Sequence, residues 1–392
     1  MTISLDLIQT IGLAVLVLYL GKYMKEQVPF FKRYFIPAPV IGGLIYSMAI
    51  LAGRQTGLFS ISLNHGLDDF LMVLFFTCTG FMASIHVIKR SGKQGLTLAI
   101  AAIAVLFLQN LLGMGVSSLM GIHPLLGVSM GSVSMSGGIG SAAAFGPSFE
   151  ALGANSATVI GIAAATFGLV MGSLIGGPVA KRLIERMRLE PSSTGTSISF
   201  AEQEPTPNTS SALSSVSTIL ITMGLGSVLV LLLNKTGITF PYYVGGVFAA
   251  ALVRNLLDMT DHKINMKHID LVGNIALALF LTLTVMSLKI WELFALALPM
   301  LAVLACQTLL MILFAYFVTF KLMGKDYEAA VMAAGHCGVG LGQTPNAIAN
   351  MSTVIDRYGP APTAWVMLPV ITVIIINICN PFVITLFMNL FK

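Results

Sequence analysis

The sequence predicts an all-α integral membrane protein: ten transmembrane helices arranged as two inverted five-helix repeats, each with a re-entrant hairpin. Three observations lead there. Of 392 residues, 56% are apolar and only 9% charged, whereas a soluble domain is roughly 25% charged. Apolar stretches recur at the ~20-residue length that a ~30 Å hydrocarbon core requires. Two further apolar stretches, at matching places in the two halves, are too broken by Gly and Pro to be lipid-facing helices.

The composition also excludes other classes. Cys78, Cys306, Cys337 and Cys379 are far apart in apolar context and form no C-x-x-C, so a disulfide scaffold, a zinc site and a redox pair are not indicated. The formal charge of +5 does not call for nucleic acid, because membrane proteins concentrate Lys and Arg in cytoplasmic loops. The first apolar stretch lacks a basic leader and an A-x-A site, so no cleaved signal peptide is expected.

In chain order the expected crossings are 5–21, 36–53, 69–88, 96–119 and 155–180, then 213–233, 240–257, 270–288, 293–320 and 362–391. They divide into an N-terminal repeat, 1–188, and a C-terminal repeat, 212–392. Between them, 189–211 is rich in Ser, Thr and Pro with almost no apolar content, the composition of a solvated, disordered linker. With the N-terminus outside, Lys and Arg gather on the inner face, leaving only Arg54, Lys235, Lys289 and Lys392 outside. Both termini are therefore expected to be periplasmic and the linker cytoplasmic.

The hairpins are expected at about 125–150 and 328–356. No Asp, Glu, Lys or Arg occurs between Lys93 and Glu150, a stretch too long for one helix and interrupted at His123-Pro124. Glu328 and Asp356 bracket the second, Gly-rich stretch. Irregular backbone at membrane depth survives only where protein or a water-filled cavity receives its hydrogen bonds. The halves also share sparse identities in the same order. Leu108-Gln109-Asn110-Leu111-Leu112 recurs as Cys306-Gln307-Thr308-Leu309-Leu310, and Gly138-Ile139-Gly140 as Gly340-Leu341-Gly342. An odd number of crossings per half turns the second upside down. Inverted repeats with paired broken segments mark a secondary transporter whose site lies near the midplane.

A hairpin tip leaves helix-end amides with partial positive charge, which bind a carboxylate without burying a free cation. Opposing carbonyls offer oxygen to Na⁺. Substrate contacts are expected at Ser136, Gly137, Gly138, Gly140 and Ser141 of the first tip, and at Gly340, Gly342, Gln343, Thr344 and Asn346 of the second. Ion contacts are expected at Gly338, Asn350 and Ser134. Thr166 and Asn377 sit near the middles of the fifth and tenth crossings, where buried polar groups need partners. His336 is either a substrate contact or proton-sensitive group, or, as is usual, a neutral histidine that positions its loop. Ala164, Gly168, Gly172 and Gly176 form a small-residue face whose ordinary meaning is close packing, here against a hairpin. Glu150 and Asp356 read as interfacial, and Arg254 and Arg357 as topology anchors. No other acid lies well inside a crossing, which favours Na⁺ bound by neutral oxygens over H⁺.

The run Gly335-His336-Cys337-Gly338-Val339-Gly340-Leu341-Gly342-Gln343-Thr344-Pro345-Asn346-Ala347-Ile348-Ala349-Asn350-Met351 resembles the second signature of bacterial sodium/glutamate symporters. Ser136-Gly137-Gly138-Ile139-Gly140 resembles their other Gly-rich loop. Two positions depart from the family pattern: Ile139 stands where His is usual, and Gln343 where Ala is frequent before Thr-Pro. The resemblance implies an inner-membrane homodimer that couples Na⁺ entry to L-glutamate uptake by an elevator-like movement, with Na⁺ as coupling ion and no other cofactor. A Na⁺ symporter of another small carboxylate, citrate or aspartate, is the alternative. An intramembrane enzyme is disfavoured, since neither G-x-S-x-G nor H-E-x-x-H occurs. A channel fits two one-sided hairpins less well than alternating access does.

Overall fold

A computed structural model describes residues 2–56, 60–191, 209–237, 240–260, 264–289 and 293–391. Most of the expected linker, 192–208, lies outside them. The helices are α1 (Leu7–Gln27), α2 (Pro29–Arg33), α3 (Ala38–Gln55), α4 (Asp68–Gly80), α5 (Ile85–Arg90), α6 (Gly92–Leu119), α7 (Pro124–Val128), α8 (Gly138–Glu150) and α9 (Ala157–Met187). The second half contains α10 (Thr209–Asn234), α11 (Tyr242–Leu257), α12 (Met266–Met286), α13 (Leu293–Phe314), α14 (Phe320–Leu322), α15 (Tyr327–Leu341), α16 (Thr344–Tyr358) and α17 (Pro362–Asn389).

Among the described residues, eight helical stretches are long and apolar enough to cross a membrane. The two remaining ranges expected to cross, 36–53 and 240–257, fall on α3, with 18 residues, and α11, with 16. One local feature was not anticipated. Strands β1 (Thr2–Ser4) and β2 (Ser60–Ser62) pair in parallel and tie the chain before α1 to the loop before α4. Three residues carry no periodicity from which such a pair could be read.

Helix ends are closed by identifiable groups. Asp6 and Gln9 form a reciprocal capping box on α1, with the Asp6 carboxylate 2.8 Å from the Gln9 amide. Glu150, which ends α8, accepts from the Thr158 amide at the start of α9 at 2.9 Å. Glu328, near the start of α15, accepts from the Ala364 amide at the start of α17 at 2.7 Å. In each half a hairpin carboxylate thus meets the positive end of the helix that follows.

Packing does not follow chain order. Helices α1, α3 and α4 of the first half pack with α10, α11 and α12 of the second. Helices α6 to α9 pack with α13 to α17. These two groups touch chiefly where α11 meets α17, α12 meets α8 and α17 meets α4, a thin seam beside the dense packing inside each group.

Candidate functional site

Two broken segments meet inside the second group. The later one, α15 and α16, is an antiparallel helical hairpin: Asn350 Nδ2 donates to Ala334 O at 3.2 Å, and Tyr327 Oη at its base donates to Gly359 O. The turn is at Gly342-Gln343, with Gln343 extended (φ −146°) and Pro345 in the first turn of α16. Pro345 has no N–H, and Asn346 and Ala347 donate to Gln343 O. The amides left for a ligand are therefore those of Gln343 and Thr344, fewer than a bare helix end provides.

The earlier segment starts with α7 and passes through a π-helical turn, Ser129–Val133. There Gly131 leaves helical geometry (φ −88°, ψ −134°). It turns at Ser134–Gly137 and returns as α8, whose first residue, Gly138, has φ +71°, a conformation that glycine adopts without a Cβ clash. Its two ends lie together, since a Cβ on Gly153 would be 4.0 Å from His123 Nε2. Ser129 Oγ donates to Ala157 O at 2.9 Å and Ser134 Oγ to Gly161 O at 2.7 Å, which fixes the turn to α9.

The tips are joined by side-chain amides that sequence reasoning did not place in the site. Gln109 of α6 accepts from Ser136 Oγ at 2.8 Å and donates through Nε2 to Gly340 O, so one side chain holds both hairpins. Gln307 of α13 donates to Gln109 O at 2.7 Å. Asn110 accepts from the Ser132 amide at 2.8 Å, and Asn380 of α17 donates to Ser132 O at 3.0 Å. All four amide residues are buried. The signal in the sequence is two amides, Gln109 and Gln307, at equivalent places within long apolar helices.

The expected site residues separate into groups. Ser136, Gly137, Gly138, Gly140 and Ser141 lie at or beside the first tip, and Gln343 approaches Gly138, whose Cβ position is 3.2 Å from Gln343 Nε2. Gly338, Gly340, Gly342, Thr344 and Asn346 lie around the second. Asn346 Nδ2 donates to Leu169 O at 2.7 Å and Ser173 Oγ at 2.8 Å, while Asn350 Nδ2 donates to Gly172 O at 2.8 Å. These bonds dock the second hairpin on α9. The small-residue face makes the approach possible: a Cβ on Gly168 would lie 2.2 Å from Leu341 O, and one on Gly176 would lie 2.2 Å from Asn350 Nδ2. Thr166 Oγ1 bonds within its own helix to Ile162 O at 2.8 Å.

Asn377 stands apart from the tips, on the seam, with Nδ2 3.8 Å from Met82 Sδ. His336 is buried beneath the tip, 2.8 Å from Thr319 Oγ1 and edge-on to Phe314. Arg254, read from the sequence as a topology anchor, lies in the last turn of α11. It is only 6% exposed, with Nε 2.9 Å from Asp258 Oδ1.

Two cavities open on the seam. One, of about 730 Å³, lies between α4, α11 and α12 on one side and α8 and α9 on the other, reaching Ala143 and Ala144 of the first hairpin. The other, of about 630 Å³, lies at the opposite ends of α4, α11 and α12 and reaches Thr344 of the second tip. Between them, a Cβ on Gly140 would be 3.3 Å from Phe75 and 3.4 Å from Leu277.

Residues 3–360 match the family model described as sodium/glutamate symporter. The chain belongs to this family. The sodium/glutamate symporter of Escherichia coli (strain K12) is 39% identical over 398 residues, covering 98% of each chain. That of Haemophilus influenzae is 36% identical over 389 residues, covering 97% of this chain and 96% of the relative. The likeness to the solved sodium proton antiporter MjNhaP1 from Methanocaldococcus jannaschii is distant: TM-score 0.43 at 15% identity, over 98% of this chain and 97% of that one. A symporter family is one of multi-pass membrane transporters and not of enzymes.

The docking of the second hairpin on α9 supplies a paired test. Gly176→Ala forces a methyl group onto the Asn350 amide, whereas Gly177, with nothing within 4 Å of its Cβ position, has room for one. Gly176→Ala is expected to lower transport severalfold, from overpacking worth about 1–3 kcal/mol, and Gly177→Ala to leave it near normal. Uptake rates normalised to membrane expression check this.

Proposed function

We propose that this chain takes up L-glutamate coupled to Na⁺ entry, as a secondary transporter working by alternating access. α6 to α9 with α13 to α17 form the moving body, and α1, α3, α4 and α10 to α12 the scaffold, in an elevator-type displacement. The observation that carries the proposal is the seam, with a cavity at each end, one hairpin reached by each, and Phe75 and Leu277 against Gly140 between them. A seam thin enough to slide, beside bodies packed too densely to deform, favours rigid displacement over local opening. The names of the relatives favour glutamate over citrate or aspartate.

The same grouping favours ten crossings in two inverted repeats, 1–188 and 212–392, with both hairpins re-entrant. Each body draws equivalent helices from both halves, with α4 packed on α12 and α6 on α13, as interleaved inverted repeats require. The distribution of Lys and Arg favours periplasmic termini, a cytoplasmic linker and a bacterial inner-membrane location. Resemblance to the family is the basis for a homodimer.

At the site, the α8 amides at Ile139 and Gly140 with Ser136 and Ser141, and the α16 amides at Gln343 and Thr344, receive the glutamate carboxylates. Carbonyl oxygens at the end of α15, from Gly338 onward, with Asn350 supply Na⁺ with neutral oxygen. Ser134, the other expected ion contact, is held at Gly161 O, about three helical turns along α9 from the Gly172 O that holds Asn350, and does not join them. Na⁺ offsets the anionic charge, and the partly loaded carrier is disfavoured from moving.

Proteoliposomes with an inward Na⁺ gradient should accumulate labelled glutamate, and replacing Na⁺ by K⁺ should abolish accumulation. Excess unlabelled citrate should leave it unchanged; strong competition by citrate would reassign the substrate. Gly140→Val meets Phe75 and Leu277, and Gly340→Val meets Met311 Sδ, 2.4 Å from the Cβ position. Both variants should reach the membrane and lose transport, so near-normal uptake by both refutes the tip assignment. Single cysteines at Ser148 and Ser352 should label with an impermeant maleimide from opposite faces of the membrane, and labelling of both from one face refutes the inverted repeat.

A further inference from the structure

The side chain of Gln343 has no role in the account above, which uses only its backbone amide. It stands at the N-cap of α16 without capping that helix, and it is half-buried. Among the described residues its carboxamide has no hydrogen-bond partner. Nor is it sealed in protein, as Asn110 Nδ2, Gln307 Oε1, Asn346 Oδ1 and Asn380 Oδ1 are. The next residue, Thr344, lines the cavity at that end of the seam, so a ligand reaches the second tip from there.

The side chain runs from the second tip to the first. A Cβ on Gly138 would lie 3.2 Å from Gln343 Nε2, 3.6 Å from its Cγ and 3.8 Å from its Cδ. Gly138 opens α8 with φ +71° and has no side chain to hold Gln343 away. The separation of the tips is fixed by another group: Gln109, fully buried, accepts from Ser136 Oγ and donates to Gly340 O. The gap between the tips thus has a length that Gln343 itself displays, one Cα, two methylenes and a planar carboxamide. The glutamate side chain has the same two methylenes and a planar carboxylate, whereas aspartate is one methylene short. The carboxamide also suits an anion, because its N–H groups donate to a carboxylate without adding a buried charge.

We infer that Gln343 is a specificity-determining residue: lying across the gap between the tips, its carboxamide donates to the side-chain carboxylate of the substrate at the first tip and selects glutamate over aspartate. This rests on the glutamate-transport reading above and adds the side chain that measures the substrate. Because Gln109 holds the tips apart from each other at a set distance, shortening Gln343 leaves an open gap there and does not draw the hairpins together.

The test uses the full chain in proteoliposomes, with labelled L-glutamate as the probe and unlabelled L-aspartate and L-glutamine as competitors. In the parent protein aspartate should compete about tenfold or more less well than glutamate. Gln343→Ala should raise the glutamate KM about tenfold, the worth of a hydrogen bond to a charged group. The Na⁺ concentration for half-maximal uptake, measured at saturating glutamate, should not change. Gln343→Glu keeps the shape but sets a carboxylate against a carboxylate. Its glutamate KM should rise further and fall again as the pH is lowered, since a protonated carboxyl donates. L-Glutamine, whose amide can donate to the new carboxylate, should compete relatively better in Gln343→Glu and not in Gln343→Ala. Equal competition by aspartate and glutamate in the parent would overturn the proposal. So would a parental glutamate KM in Gln343→Ala, or no change in the standing of glutamine in Gln343→Glu. If Gln343→Ala lost uptake, its glutamate binding in detergent with Na⁺ decides: about tenfold weaker supports the proposal, and parental affinity overturns it. Failure of the parent protein to show any Na⁺-driven glutamate uptake would instead refute the transport reading.

Discussion

The structure depends on one constraint: broken backbone in an apolar interior must find hydrogen-bond partners, and here side-chain amides supply them. Gln109 is the clearest case, because its two amide atoms serve the two different hairpins. Asn110 and Asn380 bracket the Ser132 peptide where the first hairpin leaves helical geometry. Each bond is worth about 1 kcal/mol net, but a buried peptide group left alone costs about 1–3 kcal/mol. The amides matter chiefly because without them neither turn is tolerated at depth.

That constraint shapes the two bodies. The hairpins are tied to each other by Gln109, and to α9 by Ser129, Ser134, Asn346 and Asn350. Across the seam, the group of α1, α3, α4 and α10 to α12 meets the first tip at Gly140. Its contact with Gly140 is apolar, through Phe75 and Leu277, and apolar surfaces slide without breaking hydrogen bonds. Polar ties hold one group of helices together, and the contact across the seam at Gly140 is greasy.

Charge is arranged on the same plan. The interior around the tips is polar but neutral. Formal charges sit where the seam widens, acidic groups toward one cavity and Arg254 with Lys267 and Asp270 toward the other. Hairpin carboxylates face helix starts: Glu150 is bound at α9 and also borders a cavity, and Glu328 is bound at α17, where the helix dipole offsets part of their cost.

The sequence alone determined the class of protein, the places of the long helices, both broken segments and the small-residue face of α9. These are one-dimensional facts: hydropathy over a span, and Gly or Pro where a helix cannot continue, are written in consecutive residues. It also located Ser136, Gly140, Gly340 and Gln343 at the tips, because a tip is a local feature. Which residues hold the tips together was decided only in three dimensions. Gln109 and Gly340 are far apart in the chain, and no spacing rule links them. Asn377 shows the converse: its place in mid-helix is legible, but helix rotation turns it to Met82 and the seam, not to the tips. The pairing of α1–α4 with α10–α12, and of α6–α9 with α13–α17, was likewise tertiary, since it depends on which faces fit, and apolar helices look alike until they are packed.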